Sequence, residues 1–219
     1  MLVVSQVHSE CTILLHGLAR TADSMEKLES ALSGAGYRVV NLDYASRKAP
    51  IKELAEEAIA RGLKQCPPDE KVSFVTHSLG GILVRQYFSD HLDARLNRVV
   101  MLGPPNQGSE VVDKLADFPG FALLNGEAGL QLGTGKASVP NSLGAVNFDL
   151  GIIAGTRSIN LILSSFLPNP DDGKVSVART RVAGMKDHIE LPVTHPFMMS
   201  NEQVINQIIY YLEHGFFSR

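Results

Sequence analysis

A serine, a pair of glycines and the strand and helix that flank them set the chemistry to look for. In "VSFVTHSLGGILVRQYF", residues 72–88, an alternating apolar stretch runs into His77-Ser78-Leu79-Gly80-Gly81 and at once into a helical pattern, with no room for an ordinary loop. A parallel strand joined this sharply to its helix holds the apex residue in a strained backbone conformation, its side chain raised above the sheet. Ser78 is that apex, and the small residues Gly80 and Gly81 let strand and helix press together. A serine hydroxyl attacks a carbonyl carbon only when a base takes its proton and a third group orients the base.

Two downstream segments offer those groups. "PNPDDGKVSV", residues 168–177, puts an Asp-Asp-Gly turn before an alternating run, and "LPVTHPFMMSNEQV" puts His195 between a short strand and the last helix. Asp172 is read as the acid, with Asp171 as its closest competitor. His195 is read as the base, ahead of His188 in "GMKDHIELP". For the oxyanion, "LLHGLAR", residues 14–20, ends the first long strand with His16-Gly17, so backbone N–H groups of Leu18 and Leu79 are the expected donors. Taken singly, each feature is an ordinary turn. Together they are a rare combination.

The elements that must position these groups alternate. "CTILLHG" reads as a buried strand and "DSMEKLESALSGAG" as a helix, with Asp23 as its N-cap and Gly34 or Gly36 as its stop. "YRVVNLDY" and "IKELAEEAIARGLKQC" repeat the unit, and Pro67-Pro68 closes it before "KVSFVTH". "LNRVVMLGPP", "DLGIIAGT" and the amphipathic "NEQVINQIIYYLEHGF" follow the Ser78 helix. Such alternation predicts an α/β fold, a mostly parallel sheet with helices on both faces, as a single domain over residues 1–219. The exception is an insertion over about 106–147, rich in Gly, Leu, Ala and Phe. It is read as a cap or acyl pocket above the strand ends, with Phe121 and Leu124 touching substrate. The alternative is a loop that only seals the core.

Composition bounds the partners. Lys plus Arg is 20 against 23 Asp plus Glu, a formal charge of -3, which offers no basic surface for nucleic acid. The apolar runs fall short of the roughly 20 residues a membrane helix needs. "MLVVSQVHSE" lacks the basic start of a secretion signal, and the expected localisation is cytoplasmic, with a processed secreted form as the alternative. Cys11 and Cys66 are read as buried free thiols, ahead of a disulfide. No motif implies a metal or cofactor.

The whole pattern, "ILLHGLAR", "THSLGG", "DDGKVSV" and "THPFM" before the last helix, resembles a lipase or esterase of the α/β-hydrolase superfamily along nearly the full chain. "LGPPNQGSE", residues 102–110, is similar to the Pro-x-x-Gly-Ser segment of triacylglycerol-lipase-like members. The resemblance implies a serine hydrolase acting on small-molecule or lipid esters, with Ser78, Asp172 and His195 as triad and Leu18 and Leu79 as oxyanion donors. One departure is Thr76, where the Gly-x-Ser-x-Gly pattern has glycine and a β-branched residue crowds the turn. An acyltransferase or amidase would use the same machinery. A binding module on a hydrolase fold would have lost one of the three groups.

Overall fold

Among the residues described by the computed structural model, 10–219, the apolar runs form one six-stranded sheet. The opening segment read for a secretion signal lies, except for Glu10, outside them. The strands are β1 (Glu10–Leu15), β2 (Arg38–Leu42), β3 (Lys71–His77), β4 (Leu96–Leu102), β5 (Asp149–Gly155) and β6 (Asp187–Leu191). Their order is β2-β1-β3-β4-β5-β6, and every neighbouring pair is parallel. The chain steps outward from β1 to β2 and then returns to the other side of β1, so the order reverses between β1 and β3. Open α/β sheets bind ligands beyond the carboxyl ends of their strands at such a switch point.

The helices are α1 (Glu26–Gly34), α2 (Ile51–Gln65), α3 (Leu79–Asp90), α4 (Glu110–Leu115), α5 (Phe121–Leu130), α6 (Val139–Ser142), α7 (Leu161–Ser164), α8 (Val177–Thr180) and α9 (Glu202–His214). Successive strand residues point to opposite faces, and the core divides accordingly. Ile13, Phe74, Val99 and Ile152 pack with α2 and α3. Leu14, Val75, Val100 and Ile153 pack with α1 and α9. A sheet buried on both faces needs near-continuous apolar strands, which is why β3 is buried from Val72 through His77.

Two local expectations are corrected, and one alternating segment takes an irregular course. Asp23 does not cap α1. It lies inside a 3-10 turn, Ala22–Met25, whose first closing bond runs from the Ser24 N–H to the Thr21 carbonyl. The alternating run after Asp172 forms no strand, because the Asp172 Oδ1 accepts the N–H groups of both Lys174 and Val175, each at 2.9 Å. Backbone donors held in such a turn are unavailable to a ladder.

The other correction concerns the cysteines. Cys11 on β1 and Cys66, just past α2, form a disulfide with Cα atoms 5.7 Å apart. Helix α2 packs back across β1 and brings them together, a proximity that spacing in the sequence does not contain. The closed loop spans a separation of 55 residues. Constraining it in the unfolded chain is worth about 2–4 kcal/mol. Cys11→Ala with Cys66→Ala is therefore expected to lose about that much in urea unfolding, with the m-value checked for two-state behaviour.

The insertion is built of the short helices α4, α5 and α6. Gly126, at φ 65°, interrupts α5. Arg85 of α3 anchors the segment from below: its guanidinium donates to the Asn106 carbonyl and side chain and to the carbonyls of Pro140 and Gly144. Burial pushes Arg85 down to about 10, which leaves it charged at neutral pH.

Candidate active site

Ser78 is the single residue between β3 and α3, at φ 53°, ψ −117°. A non-glycine residue there costs of order 1–3 kcal/mol and persists only where its surroundings impose it. Here the Ser78 N–H donates to the Leu102 carbonyl at the end of β4 (2.9 Å), and the Gly81 N–H donates back to the Ser78 carbonyl (3.1 Å). Gly80 must be glycine, since a Cβ on it would stand 2.7 Å from the Leu15 carbonyl oxygen of β1. Thr76 does not lengthen the turn. It stays inside β3, fully buried, and its hydroxyl has no hydrogen-bond partner among the described residues.

His195 opens a 3-10 turn, His195–Ser200, between β6 and α9. Its Nδ1 lies 2.7 Å from Asp172 Oδ2, and its backbone N–H donates to the Asp172 carbonyl at 3.0 Å. Both residues are buried. A carboxylate accepts, so Nδ1 carries the ring proton and Nε2 keeps a lone pair. Gly103, just past β4, is where this pair crosses the chain: a Cβ there would meet Asp172 Oδ2 at 2.8 Å and His195 Nδ1 at 3.0 Å. Of the two neighbouring acids only Asp172 reaches the imidazole. Asp171 is occupied by the Gly173 N–H (2.7 Å) and the Ser164 hydroxyl (2.6 Å).

Ser78, Asp172 and His195 line one cavity of about 470 Å³, together with Leu18, Phe121 and Leu132. Leu79 is buried beneath it, and its N–H, at the first position of α3, lacks an intrahelical acceptor. Leu124 is not brought to the cavity: on α5 it faces outward, 64% exposed, while Phe121 one turn earlier turns inward. His188 is not brought there either. It sits on β6 with Nε2 2.9 Å from the Thr180 hydroxyl, and burial pushes it down to about 4. Among the described residues no cluster of His, Cys, Asp and Glu could hold a metal ion.

The sequence pattern and this layout meet in one comparison: the model of the family described as alpha/beta hydrolase fold matches residues 13–130, more than half of the chain. The chain belongs to that family. Among solved structures, this chain resembles the mature form of a Bacillus licheniformis lipase, with 18% identity, TM-score 0.72, and 92% of this chain and 91% of that one covered. It also resembles a metagenomic carboxyl esterase at 17% identity and TM-score 0.67, covering 89% of this chain and 66% of that one. The phospholipase PlaB from Legionella pneumophila matches at 18% identity and TM-score 0.58, over 78% and 45%. No curated protein matches this chain by sequence.

One residue of the candidate site escaped the sequence reading. His77 is fully buried beside Ser78, with its Nε2 3.0 Å from the His195 carbonyl and its ring centroid 4.7 Å from that of His195. A carbonyl only accepts, so Nε2 is the donor. Burial first, then the neighbouring His195 and Arg20, hold His77 well below the ordinary histidine range and keep it neutral. It thus ties the Ser78 turn to the loop carrying His195. Its position next to the serine in "THS" was the only available signal. His16 has a comparable scaffolding part: Nδ1 donates to the Gly17 carbonyl (2.9 Å), and Nε2 accepts the Tyr44 N–H (3.3 Å).

Proposed function

We propose that this hydrolase cleaves carboxylic esters through an acyl-enzyme on Ser78. The observation that carries the reading is the buried 2.7 Å contact between His195 Nδ1 and Asp172 Oδ2, in a cavity that Ser78 also lines. In the first half-reaction the Ser78 Oγ attacks the ester carbonyl carbon and its proton passes to His195 Nε2. The N–H groups of Leu18 and Leu79 receive the oxyanion. Collapse of the tetrahedral intermediate breaks the bond to the alkoxy oxygen, which takes the proton from His195. Water then repeats the sequence, releasing the acid and restoring Ser78. Asp172 holds the imidazole in the required tautomer and stabilises its charged form. The structural likeness to a lipase and a carboxyl esterase supports ester chemistry.

The insertion, residues 106–147, serves in this reading as the acyl side of a single domain. Val111, Val112, Phe121 and Leu132 give the cavity an apolar wall. Each buried methylene contributes about 0.8 kcal/mol, close to fourfold in kcat/KM. With p-nitrophenyl esters from acetate to palmitate, kcat/KM is expected to rise over the first several carbons. Phe121→Asp is expected to lower the octanoate-to-acetate ratio at least about tenfold, the loss of two or so methylene contacts. Leu124→Asp should shift that ratio little. An unchanged ratio in Phe121→Asp with a lowered Tm would reduce Phe121 to packing, and absence of turnover across the series would overturn the ester reading.

The Cys11–Cys66 disulfide favours an oxidising compartment over the cytoplasm. No helix among the described residues is long and apolar enough to cross a membrane.

A further inference from the structure

We propose that Arg20 and Lys174 form an anion-binding wall of the catalytic cavity, selecting esters whose alcohol portion carries a phosphate or carboxylate group. The inference rests on the ester-hydrolase reading and adds the substrate class to it.

Both residues line the cavity that holds Ser78 and His195. They arrive from different loops, Arg20 from the segment after β1 and Lys174 from the turn after Asp172. Arg20 is held by its guanidinium and Lys174 by its backbone. The Arg20 Nη2 donates to the Pro196 carbonyl at 3.2 Å. The Lys174 N–H donates to Asp172 Oδ1, and its carbonyl accepts the Ser109 hydroxyl at 2.7 Å.

Neither cation has an ion-pair partner within 4 Å among the described residues, although Asp172 attracts Lys174. Of the other cations past the strand ends, Arg179 pairs with Glu110 at 2.8 Å and Arg181 with Glu190 at 3.6 Å, whereas Arg157 just past β5 also has no ion pair among the described residues. Among the described residues, Arg20 and Lys174 form no ion pair, although the chain carries more acidic than basic residues. The one acid lining the cavity is Asp172. Its oxygens already accept from His195 Nδ1 and from the N–H groups of Lys174 and Val175.

The two charges also feel each other. Burial lowers both; at Lys174 the nearby Asp172 offsets part of that fall, and Arg20 adds to it. An anion seated between them would relieve that repulsion and replace lost hydration. The apolar wall contributed by the insertion faces the acyl chain, which leaves the cationic wall for the alcohol side.

The test uses four aryl esters, each normalised by its alkaline hydrolysis rate. They are phenyl butyrate (neutral), 4-(butyryloxy)benzoate, 4-(butyryloxy)phenyl phosphate and monophenyl glutarate, the last with its carboxylate on the acyl side. The native protein is expected to favour both alcohol-side anions over phenyl butyrate by about tenfold in kcat/KM, as for charged hydrogen bonds discounted for partial exposure. Arg20→Gln and Lys174→Gln are each expected to lower that ratio about fivefold, and raising salt to about 0.5 M should lower it as well. The benzoate and phosphate arms tell which anion is preferred.

Turnover of phenyl butyrate without preference for either alcohol-side anion would overturn the proposal and leave the ester reading standing. So would an equal fall for neutral and anionic esters in both variants, the behaviour of residues that only brace the His195 loop. Preference for the glutarate would overturn the placement on the alcohol side. Absence of turnover of all four would take the ester reading down as well.

Discussion

Ser78→Ala is expected to abolish ester hydrolysis, lowering kcat by roughly four to six orders of magnitude, because the Oγ is the only covalent centre in the proposed cycle. Circular dichroism should remain native, since the turn is held by the Leu102 and Gly81 backbone bonds, which do not involve the side chain. A second substitution separates chemistry from strain. Ser78→Gly removes the Cβ at φ 53° and should also be inactive, yet it should gain about 1 kcal/mol in stability by relieving the backbone. Appreciable turnover by purified, natively folded Ser78→Ala would remove Ser78 from the mechanism.

The second large effect distinguishes the two histidines that the sequence offered as base. His195→Ala is expected to lower kcat/KM by about three to five orders of magnitude, leaving only what substrate binding and the oxyanion donors supply. His188→Ala should stay within about threefold of the native value, because His188 lies outside the cavity and contributes only packing and its hydrogen bond with Thr180. Loss of activity in His188→Ala with retention in His195→Ala would transfer the base role to His188.

The strands were legible because a parallel sheet covered on both faces demands apolar runs, and here those runs are short, rich in β-branched residues and bounded by Gly and Pro. The Ser78 turn was legible because Gly80 can have no side chain against Leu15. Such a close approach prints a glycine two residues after the serine. His195 was placed by its position alone, between the last strand and the last helix.

What stayed hidden shares a physical cause, the dependence on packing between distant segments. The run after Asp172 alternates like a strand, yet a carboxylate two residues upstream captures its N–H groups. Cys11 and Cys66 meet only because α2 folds back over β1. Phe121 and Leu124 are equivalent as apolar residues of one helix, and only the seating of α5 on the molecule shows that Phe121 lines the cavity while Leu124 lies 64% exposed. Arg20 and Lys174 are unremarkable charges until the two loops converge.

The central claim, that Ser78 is the nucleophile, is tested most directly by mapping a fluorophosphonate adduct. Trypsin should release residues 72–85, between Lys71 and Arg85, as one peptide containing both Ser73 and Ser78. Fragmentation is expected to place the adduct on Ser78, with labelling lost in Ser78→Ala and slowed in His195→Ala. An adduct on Ser73, on any other residue, or persisting in Ser78→Ala would contradict the account.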